Sequence, residues 1–176
     1  MDHRLILLPV IEMISKIQAP GKTALQKIVY LIERNGVNLD FDYSIYYYGP
    51  YSSLLDYSIQ SLELEGAIEL EQDGFTQRIY NTDIGKGLIA ENGFSGFSQI
   101  ELEKINFVLD NFANFSARQL ELSTTTDYVA VEIKERHGNF DDDLIINGVK
   151  NIKGSKFSDT EIANAIKDLK KHGYFN

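Results

Sequence analysis

The sequence contains no cysteine, so disulfide bonds, thiol nucleophiles and cysteine-based zinc or iron–sulfur sites are excluded. It also has no long apolar run. The longest, from Leu5 to Ile11, is interrupted by Pro9, whereas a membrane span needs about 18 apolar residues. The same stretch is preceded by Asp2 and lacks the small-residue cleavage site of a secretory signal. We therefore expect a cytoplasmic protein with no membrane partner.

Positive charge is scarce as well. The chain has 17 lysine and arginine residues against 26 acidic ones, which gives a net charge of −9 and an isoelectric point near 4.8. A nonspecific nucleic-acid binder would carry a strong positive field, so the composition favours a protein or small-molecule partner. With 43% hydrophobic and 24% charged residues, the 176-residue chain has the composition of a folded domain.

Apolar residues at helical spacing predict two helices at the start of the chain. The first runs from Leu5 to Ile17, and the second carries an apolar stripe from Leu25 to Ile32 and stops at Asn35 and Gly36. Tyr43 to Tyr48 then predict a short strand or extended segment, which the turn signal Gly49-Pro50 ends. A third helix follows, with Ser53 and Asp56 as its N-terminal cap.

The next elements complete the pattern of a winged helix. Alternating residues from Ala67 to Glu71, the turn signal Asp73-Gly74 and the returning Arg78 to Tyr80 predict a β-hairpin. Thr82 then caps a further helix. The order helix, helix, strand, helix, hairpin, helix is that of a winged helix.

Beyond a glycine-rich loop the sequence is helical to its end. Capping boxes stand at Ser98 with Glu101, at Ser116 with Gln119 and at Ser158 with Glu161. We predict a mainly α (α+β) fold, in which residues 1–93 form a winged-helix-like part with a small β-hairpin. Residues 97–176 form a helical extension packed on it. The alternative is that both parts form one single domain.

No catalytic, cofactor or metal site emerges from residue spacing. Gly21-Lys22-Thr23 lacks the preceding glycine of a phosphate-binding loop. Asp141 to Asp143 are consecutive rather than alternating, so a solvated acidic turn is favoured over a calcium loop. The histidines show no pairing at helical spacing. We expect a protein that is not an enzyme and holds no metal and no cofactor.

A tyrosine cluster is the most distinctive local feature, and its members are Tyr43, Tyr46, Tyr47, Tyr48, Tyr51 and Tyr57. On a strand, Tyr43, Ile45 and Tyr47 would face one side and Tyr46 and Tyr48 the other. One set would pack and the other would form an interface. A strand packed on both sides is the alternative.

In a winged helix, the third helix would be the recognition helix and the β-hairpin would be the wing. The charges of these two elements disfavour DNA binding. Between Ser52 and Tyr80 the acidic residues are Asp56, Glu63, Glu65, Glu69, Glu71 and Asp73, and Arg78 is the only base. This acidic segment would repel phosphates. Leu144 to Asn176 carry six lysines against three acids, which suggests a basic patch or a solvated helical face.

Two blocks of residues carry a family resemblance: Leu25-Gln26-Lys27-Ile28-Val29-Tyr30-Leu31, and Tyr48-Gly49-Pro50-Tyr51-Ser52 with the later Glu65-Gly66. Together they resemble the Panacea-type (SocA-like) antitoxin and proteolysis-adaptor domain, and related small bacterial proteins with the same block. The resemblance covers roughly residues 5 to 90 and extends loosely into the helical tail.

The resemblance implies a domain that binds a toxin or another effector of a bacterial toxin–antitoxin or phage-defence system. Such a domain blocks the effector or delivers it to a protease. The expected partner-binding residues are Gln26, Lys27, Tyr30, Tyr46, Tyr48, Gly49, Pro50 and Tyr51. An acidic, tyrosine-rich surface suits a protein partner with a basic surface. The alternative for these residues is a buried polar network that locks the turn onto the second helix.

Two other functions stay open. A winged-helix DNA-binding regulator would need a basic patch from Lys22, Lys27, Lys86 and the C-terminal lysines, and a homodimer through the helices after Ser98 would suit it. DNA is the less favoured partner because of the acidic wing. An enzyme whose site converges only in three dimensions is the weakest alternative.

Overall fold

The computed structural model describes residues 3–92 and 96–176. These residues are mainly helical, with small antiparallel hairpins, which confirms the predicted mainly α (α+β) class. The helices are α1 (His3–Ser15), α2 (Lys22–Arg34), α3 (Ser53–Leu64), α4 (Asp83–Asn92), α5 (Gln99–Phe112), α6 (Ala117–His137), α7 (Asp142–Lys153) and α8 (Asp159–Lys171). The strands are β1 (Ser44–Tyr46), β2 (Gly49–Tyr51), β3 (Ile68–Asp73) and β4 (Thr76–Asn81).

The chain divides into two compact units. The first contains residues Met1–Ser44 and Tyr51–Phe115, and the second contains Ile45–Pro50 and Ser116–Asn176. α5 is thus grouped with the N-terminal elements, and the short segment 45–50 is grouped with α6, α7 and α8. The division into domains at residues 93 to 97 stays a prediction.

The core of the first unit is formed by the apolar faces that the sequence pattern predicts. Its fully buried side chains include Leu7, Ile11 and Ile14 of α1, Leu25, Ile28 and Ile32 of α2, and Leu55, Ile59 and Leu62 of α3. Each such side chain contributes about 1.5–3 kcal/mol by leaving water. The N-terminal cap of α3 is Ser52 rather than the predicted Ser53, because the Ser52 hydroxyl accepts the N–H of Leu55.

The predicted hairpin is β3–β4, with Ile68 opposite Asn81 and Asp73 opposite Thr76. Its end is fixed to α4 by the predicted Thr82 cap. The Thr82 hydroxyl donates to the Gly66 carbonyl at 2.6 Å and accepts the N–H of Gly85 at 3.3 Å. A β-carbon at Gly85 would lie 2.2 Å from the Ala67 carbonyl oxygen, so this close approach of α4 to the hairpin requires glycine.

The second unit is built around the long helix α6. Val129, Ala130 and Ile133 of α6 form a core with Ile145, Val149, Phe157, Ile162 and Ile166. The capping boxes predicted for α5, α6 and α8 are all present.

Helix α7 lies in the part predicted to be helical, but no sequence signal was assigned to its start, and the prediction of a solvated turn at Asp141 to Asp143 is incomplete. Asp141 is the N-cap of α7 and accepts the N–H of Leu144 at 3.0 Å, and Asp142 pairs with Lys170 at 2.7 Å. These acids stabilise the positive end of the helix dipole. None of the described helices has the length and apolar character required to cross a membrane.

Candidate functional site: a tyrosine turn in the second unit

Three consecutive tyrosines lie at the exposed end of the β1–β2 hairpin, where Tyr46 ends β1 and Tyr47 and Tyr48 form the turn. We name residues Tyr46, Tyr47 and Tyr48 the tyrosine turn. Their exposed fractions are 63%, 88% and 60%, which is high for such large rings. The prediction of one strand from Tyr43 to Tyr48, with tyrosines alternating between two faces, is wrong. The chain reverses at Tyr47 and Tyr48, so all three rings reach solvent.

Gly49 and Pro50 continue in β2 instead of forming the predicted turn. Gly49 has a φ of +92°, and a glycine in this region directly after two turn residues closes a tight hairpin. Gly49 is also close to α6, because a β-carbon there would lie 2.7 Å from the Thr125 Oγ1. The buried Gly49 and Pro50 therefore position the exposed tyrosines and do not themselves present a surface.

Lys153, the last residue of α7, contacts the backbone of the tyrosine turn. Its Nζ donates to the Tyr47 carbonyl at 2.6 Å and forms an ion pair with the Glu121 carboxylate at 2.8 Å. The side chains of Lys153 and Glu121 are only 4% and 5% exposed. A charge-assisted hydrogen bond in such a dry place is stronger than one in water, so the backbone of the turn is well fixed.

Glu121 accepts a second lysine. The Lys156 Nζ donates to its two carboxylate oxygens at 2.8 and 2.7 Å. Burial by itself raises the pKa of Glu121, but hydrogen bonds from Lys153 and Lys156 outweigh burial, and the pKa is lowered. Glu121 therefore stays ionised at neutral pH and forms ion pairs with both lysines.

Lys156 extends this cluster to the tyrosines. Its Nζ lies 5.5 Å from the ring centre of Tyr48, within cation–π range. The Arg118 guanidinium lies 4.6 Å from the ring centre of Phe157 and donates to Glu161 at 2.5 Å. The hydrogen bond from Arg118 and those from Ser158 lower the pKa of Glu161 to about 2. Of these charged groups, the Lys156 ammonium is the one that contacts a ring of the tyrosine turn.

The predicted residues of α2 lie in the first unit and are buried. Gln26 makes a two-fold bridge to Ser52: its Nε2 donates to the Ser52 carbonyl, and its Oε1 accepts the Ser52 N–H, both at 2.9 Å. This bridge fixes the start of α3. The contacts of Gln26 are those of the buried polar network that the sequence left as the alternative.

Lys27 and Tyr30 are buried as well, with 2% and 4% of their surface exposed. The ring of Tyr30 meets that of Tyr43 edge to face, with ring centres 5.1 Å apart. Burial and the negative charge of Glu33 raise the pKa of Tyr43 well above its ordinary value. Tyr51 is partly exposed. Among the eight predicted residues, Tyr46 and Tyr48 are the two with large exposed rings.

The burial of Lys27 also bears on the DNA-binding alternative. That alternative needs a basic patch from Lys22, Lys27, Lys86 and the C-terminal lysines, and Lys86 is exposed but Lys27 is not. A buried ammonium group does not reach a phosphate. The patch is therefore smaller than the sequence suggested.

Sequence reasoning missed Glu121, and it identified Lys153 and Lys156 only as members of a basic segment. No local signal marks their pairing, since Glu121 lies more than 30 residues from either lysine. The sequence prediction sets Tyr47, the most exposed ring of the turn, on one strand face with Tyr43, and does not include it among the partner-binding residues.

The chemistry of the tyrosine turn is that of a binding surface: aromatic rings, phenol hydroxyls and nearby ammonium groups. Within residues 3–92 and 96–176 there is no group of three histidine, aspartate or glutamate side chains placed to hold a metal ion. A comparison of the chain with models of known protein families gives no match, and neither does a comparison with curated proteins.

Proposed function

We propose that this chain is a non-enzymatic protein-interaction module that binds its partner through the tyrosine turn. The observation that carries the proposal is the fixed position of three exposed tyrosines on a turn whose backbone is held by the buried Lys153. Following the family resemblance, the partner is a toxin or another effector in the bacterial cytoplasm. The module blocks it or delivers it to a protease.

The first support for the proposal is that the exposed residues are tyrosines. Tyrosine is enriched in protein interfaces because a rigid ring brings a large apolar area and a hydroxyl that bonds to polar groups. Three adjacent exposed tyrosine rings are not needed to keep the surface soluble. Their exposure in the chain by itself leaves this area for a partner to cover.

The second support is that the backbone of the tyrosine turn is already fixed before a partner binds. A binding segment that is already fixed loses less conformational entropy when its partner arrives. Lys153, Glu121 and Gly49 hold the backbone of the turn, so little ordering remains to be done on binding.

Affinity capture from the native cell tests the proposal. The bait is the full chain, compared with a Tyr46→Ala/Tyr48→Ala variant, and both protein and nucleic-acid content are recorded. Tyr57→Ala is the matched control, because Tyr57 is an equally exposed tyrosine of α3 at 66%.

The proposal predicts a stoichiometric protein partner that the double variant loses and the control retains. Capture of DNA without a protein partner would overturn it in favour of the regulator. A partner retained equally by all three baits would also overturn it.

A further inference from the structure

The far end of the β3–β4 hairpin protrudes from the first unit. All side chains from residue 71 to residue 77 are exposed, and Phe75 at the tip is 109% exposed, as open as in an extended peptide. An apolar ring in this position costs solubility and adds nothing to the core. Such a residue is typical of a contact with another molecule.

One edge of this hairpin is open. β4 is covered on its outer side by the connection between α1 and α2, because the N–H of Ile79 donates to the Pro20 carbonyl at 2.9 Å and Gly21 bridges to Arg78. Among the described residues β3 pairs with β4 alone. The outer edge of β3 therefore offers backbone N–H and C=O groups to a further strand.

The exposed face of the hairpin is acidic. By the register of the strands, Glu69, Glu71 and Asp73 share one face. Arg78, opposite Glu71, forms its ion pair with Asp73 at 3.0 Å. Glu69 and Glu71 make no ion pair within the described part of the chain. A strand laid beside β3 would meet this negative charge.

We propose that the open edge of β3, with Phe75 at its end, is a docking surface for an extended basic segment of a protein partner. The segment adds to β3 as a third strand, its lysines or arginines face Glu69 and Glu71, and Phe75 enters an apolar pocket beside it. The surface belongs to the first unit and does not rest on the tyrosine turn.

The negative charge of β3 disfavours two other occupants, a second copy of this chain and a nucleic acid. In a two-fold antiparallel pairing of β3 with a second copy, the acidic face of one strand continues into that of the other, so carboxylates would oppose carboxylates. A nucleic acid would bring phosphates to the same carboxylates. A basic extended peptide is the occupant whose charge complements the strand.

The test uses the full chain and a defined probe, a fluorescent peptide of alternating lysine and valine, with an alternating glutamate and valine peptide as its counterpart. Fluorescence anisotropy at low ionic strength gives the dissociation constants. Hydrogen exchange with and without the peptide reports on the backbone amides of residues 68–73.

The expected result is binding of the basic peptide alone, with slower exchange in β3. Glu69→Lys/Glu71→Lys should weaken binding about tenfold, as two exposed charge reversals of about 0.7 kcal/mol each predict. The pocket for Phe75 belongs to the partner and is absent from the peptide, so Phe75→Ala should leave the affinity for this probe unchanged. The matched control, Glu103→Lys/Asp110→Lys, makes the same charge change on α5 and should leave the affinity unchanged.

Equal loss in both charge variants would overturn the docking site, since it would show an effect of net charge alone. Binding without protection of residues 68–73 would also overturn it. So would self-association through β3, or a DNA duplex that competes with the peptide. None of these outcomes involves Tyr46 or Tyr48, so failure here leaves the tyrosine turn to be judged by its own variants.

Discussion

Lys153 and Tyr47 are 106 residues apart in the chain, yet the ammonium group of one lies 2.6 Å from the backbone carbonyl of the other. The same ammonium group is paired with the buried Glu121. A long-range contact of this kind fixes the backbone and leaves the tyrosine ring free for other contacts. The position of the tyrosine turn is thus determined by the C-terminal helices.

Removing the charge of Glu121 should destabilise the second unit strongly. Glu121→Gln leaves the buried Lys153 without its counter-ion, which costs about 3 kcal/mol. Urea unfolding of the variant measures the loss. Glu132→Gln is the matched control on the same helix, because its ion pair with Arg136 is exposed and long at 3.8 Å, and it should cost less than about 1 kcal/mol. Equal costs would contradict the structural role of Glu121.

Removing the donor to Tyr47 should loosen the tyrosine turn. Lys153→Met keeps the apolar stem but loses the hydrogen bond to the Tyr47 carbonyl, worth about 1.5 kcal/mol, and its ion pair with Glu121, which keeps Lys156 as its counter-ion. Hydrogen exchange of residues 45–50 should become about tenfold faster. Lys150→Met, which breaks an exposed pair with Asp159, should leave this segment unchanged. Unaltered exchange in Lys153→Met would show that other contacts hold the turn.

Acid should weaken the packing of α8 through Glu161. The folded pKa of Glu161 is lowered from 4.5 to about 2. Its contribution is therefore present above about pH 4.5 and is lost as the pH falls toward 2. Glu161→Gln should be less stable than the wild type at pH 6, and the difference should shrink to near zero at pH 2. A difference independent of pH, measured by thermal unfolding across this range, would exclude the ion pair as the cause.

The bridge between Gln26 and Ser52 should be important for the stability of the first unit. Gln26→Leu fills a similar volume but leaves the buried N–H of Ser52 without a partner, while the Ser52 carbonyl keeps the N–H of Asp56, at a cost of about 2 kcal/mol. Gln60→Leu, an exposed change on α3, should stay within about 0.5 kcal/mol. If the two variants unfold at the same denaturant concentration, the bridge contributes nothing.

Much of the fold was predictable because its signals are local. The stripe from Leu25 to Ile32 and the capping box of Ser98 with Glu101 depend on residues three or four positions apart, and the structure confirms both. The hairpin β3–β4 follows from its alternation and its turn residues.

The candidate site was less predictable because it depends on distant contacts. A run of tyrosines followed by Gly-Pro favours a strand, and only the contacts of Gly49 with Thr125 and of Tyr47 with Lys153 reveal the turn. Asp141 was interpreted as an acidic turn when it is a helix cap. The burial of Lys27 depends on tertiary packing, which spacing does not express.

Hydrogen exchange of the chain in complex with its captured partner shows whether the tyrosine turn is the surface that meets the partner. We expect exchange at residues 45–50 to slow on binding, and we expect Tyr46→Ala/Tyr48→Ala to reduce this protection, whereas Tyr57→Ala should not. Unchanged exchange at residues 45–50 in a saturated complex would contradict this expectation.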